Sequence, residues 1–133
     1  MKTIKALFIN PFAPLLSNRV EVVDLKVKEK GYLDLEECYK ILDCDIVQFV
    51  YTHQNKILIV DEEGLLKENQ FFKIDNVGQQ YFVGKALLVE VSDYDNEKFV
   101  DFNMQDRDLF NISFPKTEDV YKKHSWYNYK DRW

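Results

Sequence analysis

Glycine and proline are scarce, with four and three in 133 residues. That excludes collagen-like and low-complexity architectures, which need them in bulk. Cysteine is scarcer, Cys38 and Cys44 alone, too few for a disulfide framework and suited to a reducing compartment. No run approaches the ~18 consecutive apolar residues of a membrane span. Positive charge is not in excess either. With 18 basic and 23 acidic residues the net charge is −5, which argues against a uniformly basic nucleic-acid binder. Met1–Ile9 opens like a leader, but Asn10, Pro11 and Pro14 break the run and no small-residue cleavage site follows. The expectation is a cytoplasmic protein with no membrane partner.

What is present is apolar. Hydrophobic residues make up 46% and aromatics 15%, with ten Phe, eight Tyr and two Trp. That suffices for one packed domain. Residues 3–9 are β-prone, and Pro11 and Pro14 force a loop. Residues 19–27 alternate, with Val20, Val22 and Leu25 on different phases that a bulge or phase change near Val23 would explain. After Gly31, Asp34 reads as an N-cap with Glu36 and Glu37 in the first turn. Leu35, Cys38, Tyr39, Ile41 and Leu42 mark the apolar face of a short helix. Residues 45–52 and 56–60 flank the polar His53-Gln54-Asn55 as a hairpin, closed by Asp61-Glu62-Glu63-Gly64. Leu65-Leu66-Lys67 can begin a helical turn. A strand from Tyr81 to Val91 is interrupted at Gly84. It carries Leu87, Val89 and Val91 on one face, and Ala86, Leu88 and Glu90 on a half-exposed second face. The fold class is α+β: a small, mostly antiparallel sheet packed by one or two short helices. Hairpin and final strand share that sheet, with helix 34–42 over it and Leu35 buried beneath.

Composition then divides the chain. Residues 1–92 read as the α+β core domain. Residues 93–114 read as an acidic helical or loop extension, with six acids before Leu109 and Asp95 placed to cap a helix through Phe99, Val100 and Phe102. Residues 115–133 form an aromatic and basic tail with five basic and three acidic residues, which leaves −7 on residues 1–114. No internal repeat is present.

Gly31-Tyr32-Leu33-Asp34-Leu35-Glu36-Glu37-Cys38-Tyr39-Lys40-Ile41-Leu42 resembles the helix of the DUF3846 family. Ile57 to Lys67 is similar to its strand-and-turn segment, and Val83-Gly84-Lys85-Ala86-Leu87-Leu88-Val89 to its closing strand. The resemblance covers about residues 3–92. The chain departs from the family pattern at Asp43-Cys44, where paired glycines are common, and at Glu68-Asn69-Gln70-Phe71-Phe72, where a Leu-Pro-rich loop is common. The resemblance implies a small α+β protein of phages and mobile elements. It transfers no reaction and no catalytic residue.

No constellation for chemistry stands out. Gly78-Gln79-Gln80-Tyr81-Phe82-Val83-Gly84-Lys85-Ala86 has one residue too many for a phosphate loop and Ala86 in place of the magnesium-holding hydroxyl. It reads as a strand with a glycine. Asp93-Tyr94-Asp95-Asn96-Glu97 begins like a calcium loop but has Lys98 and Met104 where Gly and Glu are needed. Cys38, Cys44, His53 and His124 lack zinc-site spacing, and Cys38 reads as a core residue of the helix. No metal, cofactor or catalytic residue is expected.

The candidate interaction residues are of two kinds. Asp61, Glu62 and Glu63 form an acidic turn. Tyr121, Lys122, Lys123, Trp126, Tyr127, Tyr129, Arg132 and Trp133 interleave aromatics with cations. Such a tail completes its own core, forms a protein interface, or stacks on bases while pairing phosphates. The leading expectation is a non-enzymatic phage or mobile-element protein that binds a host protein, inhibiting a host defence macromolecule. The alternative is a homo-oligomer holding a nucleotide signal in an aromatic and basic pocket between subunits. Nucleic acid is the less favoured partner.

Overall fold

The computed structural model describes residues 2–64, 70–75, 80–94 and 98–123. The first half builds β1 (Lys2–Ile9), β2 (Val20–Val27), helix α1 (Leu35–Leu42), β3 (Val47–Tyr51) and β4 (Lys56–Asp61). The second half supplies β5 (Phe71–Ile74), β6 (Tyr81–Val83), β7 (Ala86–Val91), β8 (Phe99–Val100), β9 (Ile112–Ser113) and helix α2 (Thr117–Lys123). Short 3-10 segments at Leu16–Asn18 and Met104–Leu109 lie between strands.

The larger sheet runs β2-β1-β7-β4-β3, all antiparallel, with β8 added beside β7. The smaller sheet runs β6-β5-β9. The expected hairpin and final strand do share the larger sheet. The expected bulge is absent: β1 and β2 pair in continuous register from Lys2 opposite Val27 to Ile9 opposite Val20. The β3–β4 turn places Gln54 and Asn55 at φ 55° and 63°. Two successive left-handed residues match the right-handed twist of the flanking strands.

The larger sheet is covered on both faces. On one, Ile4, Ala6, Leu25, Ile57, Ile59, Leu87 and Val89 pack against Leu33, Cys38, Leu42 and Cys44. Asp34 caps α1 by accepting from the Glu36 N–H at 3.2 Å, and Asp43 ends it at φ 52°. Leu35 corrects an expectation, because it is 41% exposed and not buried under the helix. Leu33, bridged through its neighbourhood to Val27, fills the core at that end.

The second face corrects another expectation. Ala86 and Leu88 are fully buried, because the smaller sheet lays Phe72, Ile74 and Phe82 over them together with Leu7, Ile9 and Leu58. Residues 81–91 therefore form two strands in two sheets. Gly84 sits at the switch with φ 83°, a conformation costly for any residue with a Cβ. Residues 98–110 also differ from the expected capped helix. Phe99 and Val100 are strand β8 on β7, and the Phe102 N–H donates to the Lys5 carbonyl at 3.0 Å. Phe99, Phe102 and Phe110 are buried in the two cores. Helix α2 anchors through Val120, packed on Phe71.

Candidate interaction surface

Between β1 and β2 the chain must turn around Pro11 and Pro14. Its ends are tied by the Asn10 N–H to the Arg19 carbonyl at 2.7 Å. Asn10 Oδ1 accepts from the Phe12 N–H at 3.1 Å, the local turn Asn favours. Arg19 Nε donates to the Ala13 carbonyl at 2.8 Å, and its guanidinium lies 5.3 Å from the Phe114 ring centre. Pro11 is buried. The tip is thus held from several sides, yet it turns Phe12, Leu15 and Leu16 outward at 39%, 63% and 71% exposure. Beside it Asn10, Phe12, Ala13, Pro14 and Lys85 line an open concavity of about 470 Å³.

A second cluster is internal. Lys56 opens β4 at 1% exposure. Its Nζ meets Asp106 Oδ2 at 2.6 Å, Glu90 Oε1 at 3.2 Å and the Gln54 carbonyl at 3.1 Å, and lies 5.4 Å from the Phe102 ring centre. Glu90 Oε1 also accepts from the Asn103 N–H at 2.9 Å. A buried ammonium needs such partners. The cluster ties the 3-10 segment 104–109 to β4 and β7. It has no exposed amine to offer a substrate.

The described residues expected to interact stand on two elements, the turn after β4 and helix α2. Asp61, Glu62 and Glu63 do form a turn: Asp61 Oδ1 accepts from the Glu63 N–H at 2.9 Å, and the Glu62 N–H donates to the Ile46 carbonyl at 3.0 Å. Glu62 and Glu63 are exposed. Tyr121, Lys122 and Lys123 stand in α2, while Trp126, Tyr127, Tyr129, Arg132 and Trp133 lie outside the described residues. So do Gly78, at the start of the phosphate-loop-like stretch, and Asp95 and Glu97 of the calcium-loop-like one. Two acids of the 93–108 segment have partners in the larger sheet. Asp106 pairs with Lys56, and Asp101 Oδ1 accepts from the Lys5 N–H at 2.8 Å.

The thiols sit poorly for nucleophilic chemistry. Cys38 and Cys44 are free and buried, and burial pushes the Cys38 thiol up to about 12, with Glu37 and Asp34 adding to the shift. The five residues of β3, about 16 Å at strand rise, separate Cys44 from exposed His53. Among the described residues no group of three His, Cys, Asp or Glu side chains converges to hold a metal, and no helix is long and apolar enough to cross a membrane.

Phe12, Leu15, Leu16 and Lys56 were not singled out by the sequence reading. The available signal for the loop was three large apolar residues among prolines, where turn residues are usually polar.

A family model, the domain of unknown function DUF3846, matches residues 4–112. The chain belongs to that family. The match runs some way past the resemblance at residues 3–92, through β8, the Lys56 cluster and the first residue of β9. A domain boundary at residue 92 would cut Phe99, Phe102 and Phe110 from the cores they fill. No curated protein and no solved structure matches the chain.

Proposed function

We propose that this DUF3846 chain is a non-enzymatic interaction protein that works by presenting a surface to another macromolecule. The observation that supports it is the β1–β2 loop, where hydrogen bonds fix the backbone and leave Phe12, Leu15 and Leu16 in water. Ordered loops that expose large apolar side chains mark binding sites more than stability devices. The acidic turn Asp61-Glu62-Glu63 adds a charged rim for a basic partner. The phage and mobile-element setting implied by the family makes a host protein the natural target, with inhibition of a defence system as its effect.

The test is capture from the native cell with the tagged chain and with a Leu15→Asp/Leu16→Asp variant. The expected result is a protein retained by the parent and lost by the variant, with equal melting temperatures. Identical captures from both would refute the loop as the binding surface.

A second reading is a small-molecule binder. The concavity beside Lys85 combines an aromatic ring with an amine, a pairing suited to an anionic aromatic ligand such as a nucleotide. Native mass spectrometry separates the two readings. A retained mass of a few hundred daltons, lost on Lys85→Ala, favours the small molecule.

A further inference from the structure

The two edges of the larger sheet are treated differently. In β2 the Asn10–Arg19 hydrogen bond sets which residues ladder to β1, and it leaves Val20, Val22, Asp24 and Lys26 pointing their backbone groups outward. That edge is guarded. Glu37 accepts from the Lys26 N–H, the Lys28 N–H donates to the Tyr32 carbonyl at 2.7 Å, and Val27 bridges Leu33. Charged Glu21, Asp24 and Lys26 complete the protection that exposed edges usually carry.

Strand β3 lacks the charges that β2 carries. Its sequence, Val-Gln-Phe-Val-Tyr, holds no charge, no proline and no glycine. Among the described residues it pairs with β4 alone. The Thr52 N–H donates to the Lys56 carbonyl and the Glu62 N–H to the Ile46 carbonyl, so the even-numbered residues ladder to β4. Val47 and Phe49 therefore turn their backbone groups away from the sheet.

We propose that this edge is a self-association surface, filled by β3 of a second copy of the chain in antiparallel register centred on Phe49. The strand is self-complementary in that register. Each Phe49 N–H donates to the carbonyl of its counterpart, and Val47 faces the copy's Tyr51. No like charges meet across the strand. Just outside it, the acceptor Asp45 stands opposite the copy's His53, a donor, and both side chains are exposed. Exposed Ile46 and Tyr51 gain cover at the two ends. The result is one continuous ten-stranded main sheet across a two-fold axis, counted without β8. This association does not depend on the Phe12–Leu16 loop.

The test is sedimentation equilibrium of the full chain, of Val47→Pro and of Tyr51→Lys over a concentration series, with residue-level hydrogen exchange on the parent. Proline at the first residue of an edge strand leaves the β4 ladder intact and removes one outward donor. Lysine is the natural guard of such edges. The expected result is a two-chain mass for the parent, weakened more than roughly tenfold in each folded variant. Val47 and Phe49 amides slow their exchange as concentration rises. A single-chain mass throughout, or a dimer that Tyr51→Lys leaves intact, overturns the proposal. If Val47→Pro fails to fold, Tyr51→Lys and the exchange data decide alone.

Discussion

Replacing Lys56 by methionine keeps a long apolar stem in the core and removes only the ammonium. Two carboxylates, Asp106 at 2.6 Å and Glu90 at 3.2 Å, then lose their counter-charge, and the Gln54 carbonyl loses a donor. Removing one partner of a fully buried ion pair costs about 3–5 kcal/mol. Here the carboxylate side chains keep 23% and 19% of their exposure, so water offsets part of the loss. We expect Lys56→Met to cost about 2–3 kcal/mol. Asp106→Asn leaves Lys56 with Glu90 and should cost about 1–2 kcal/mol. The triple variant Lys56→Met/Glu90→Gln/Asp106→Asn should recover most of the loss, because it strands no charge. Urea unfolding followed by circular dichroism reads all three. A Lys56→Met variant within about 0.5 kcal/mol of the parent, a surface-like effect, would refute the cluster as a tie between segment 104–109 and the sheet.

Leu35→Asp should change stability by less than about 1 kcal/mol, whereas Leu42→Asp, which buries a charge under α1, should cost more than about 3 kcal/mol by the same unfolding assay. Gly84→Ala should cost about 1 kcal/mol or more, since φ 83° disfavours a Cβ, and calorimetry should show the lowered melting temperature. Cys38 should resist alkylation at neutral pH in the folded chain and react once urea unfolds it, as read by mass spectrometry. Because folding raises its pKa from 9.0 to about 12, the folded state holds the thiol proton longer. That contribution to stability is intact below pH 9 and is lost as pH rises towards about 12, so the urea midpoint should fall across that window more in the parent than in Cys38→Ala.

Local signals carried the first half of the fold. The Asp34 cap, the Cys38–Leu42 spacing and the polar His53-Gln54-Asn55 turn are each written within a few residues, and each stands where expected. Leu35 misled because helical period places it with Cys38, but period cannot say that Leu33 already fills that end of the core. The smaller sheet left little trace. Strand β9 has two residues, too few to show alternation, and β6 is split from β7 only by the turn at Gly84. The continuous apolar run Ala86-Leu87-Leu88-Val89 is the mark of a strand buried on both faces, which Glu90 on the same face as Ala86 and Leu88 obscures. The Lys56 cluster was illegible because Asp106 lies 50 residues away in sequence. For the interaction surface, the acidic turn was visible as composition. The Phe12–Leu16 loop was not, since exposure is decided by hydrogen bonds to Arg19 that no local pattern encodes.

The most direct test of the binding role is a photoreactive phenylalanine analogue placed at Leu16 and, as a control, at exposed Lys28, with irradiation in the native cell. The account predicts a discrete protein adduct from position 16 that position 28 does not give. No adduct from position 16, or the same pattern from both positions, would contradict it.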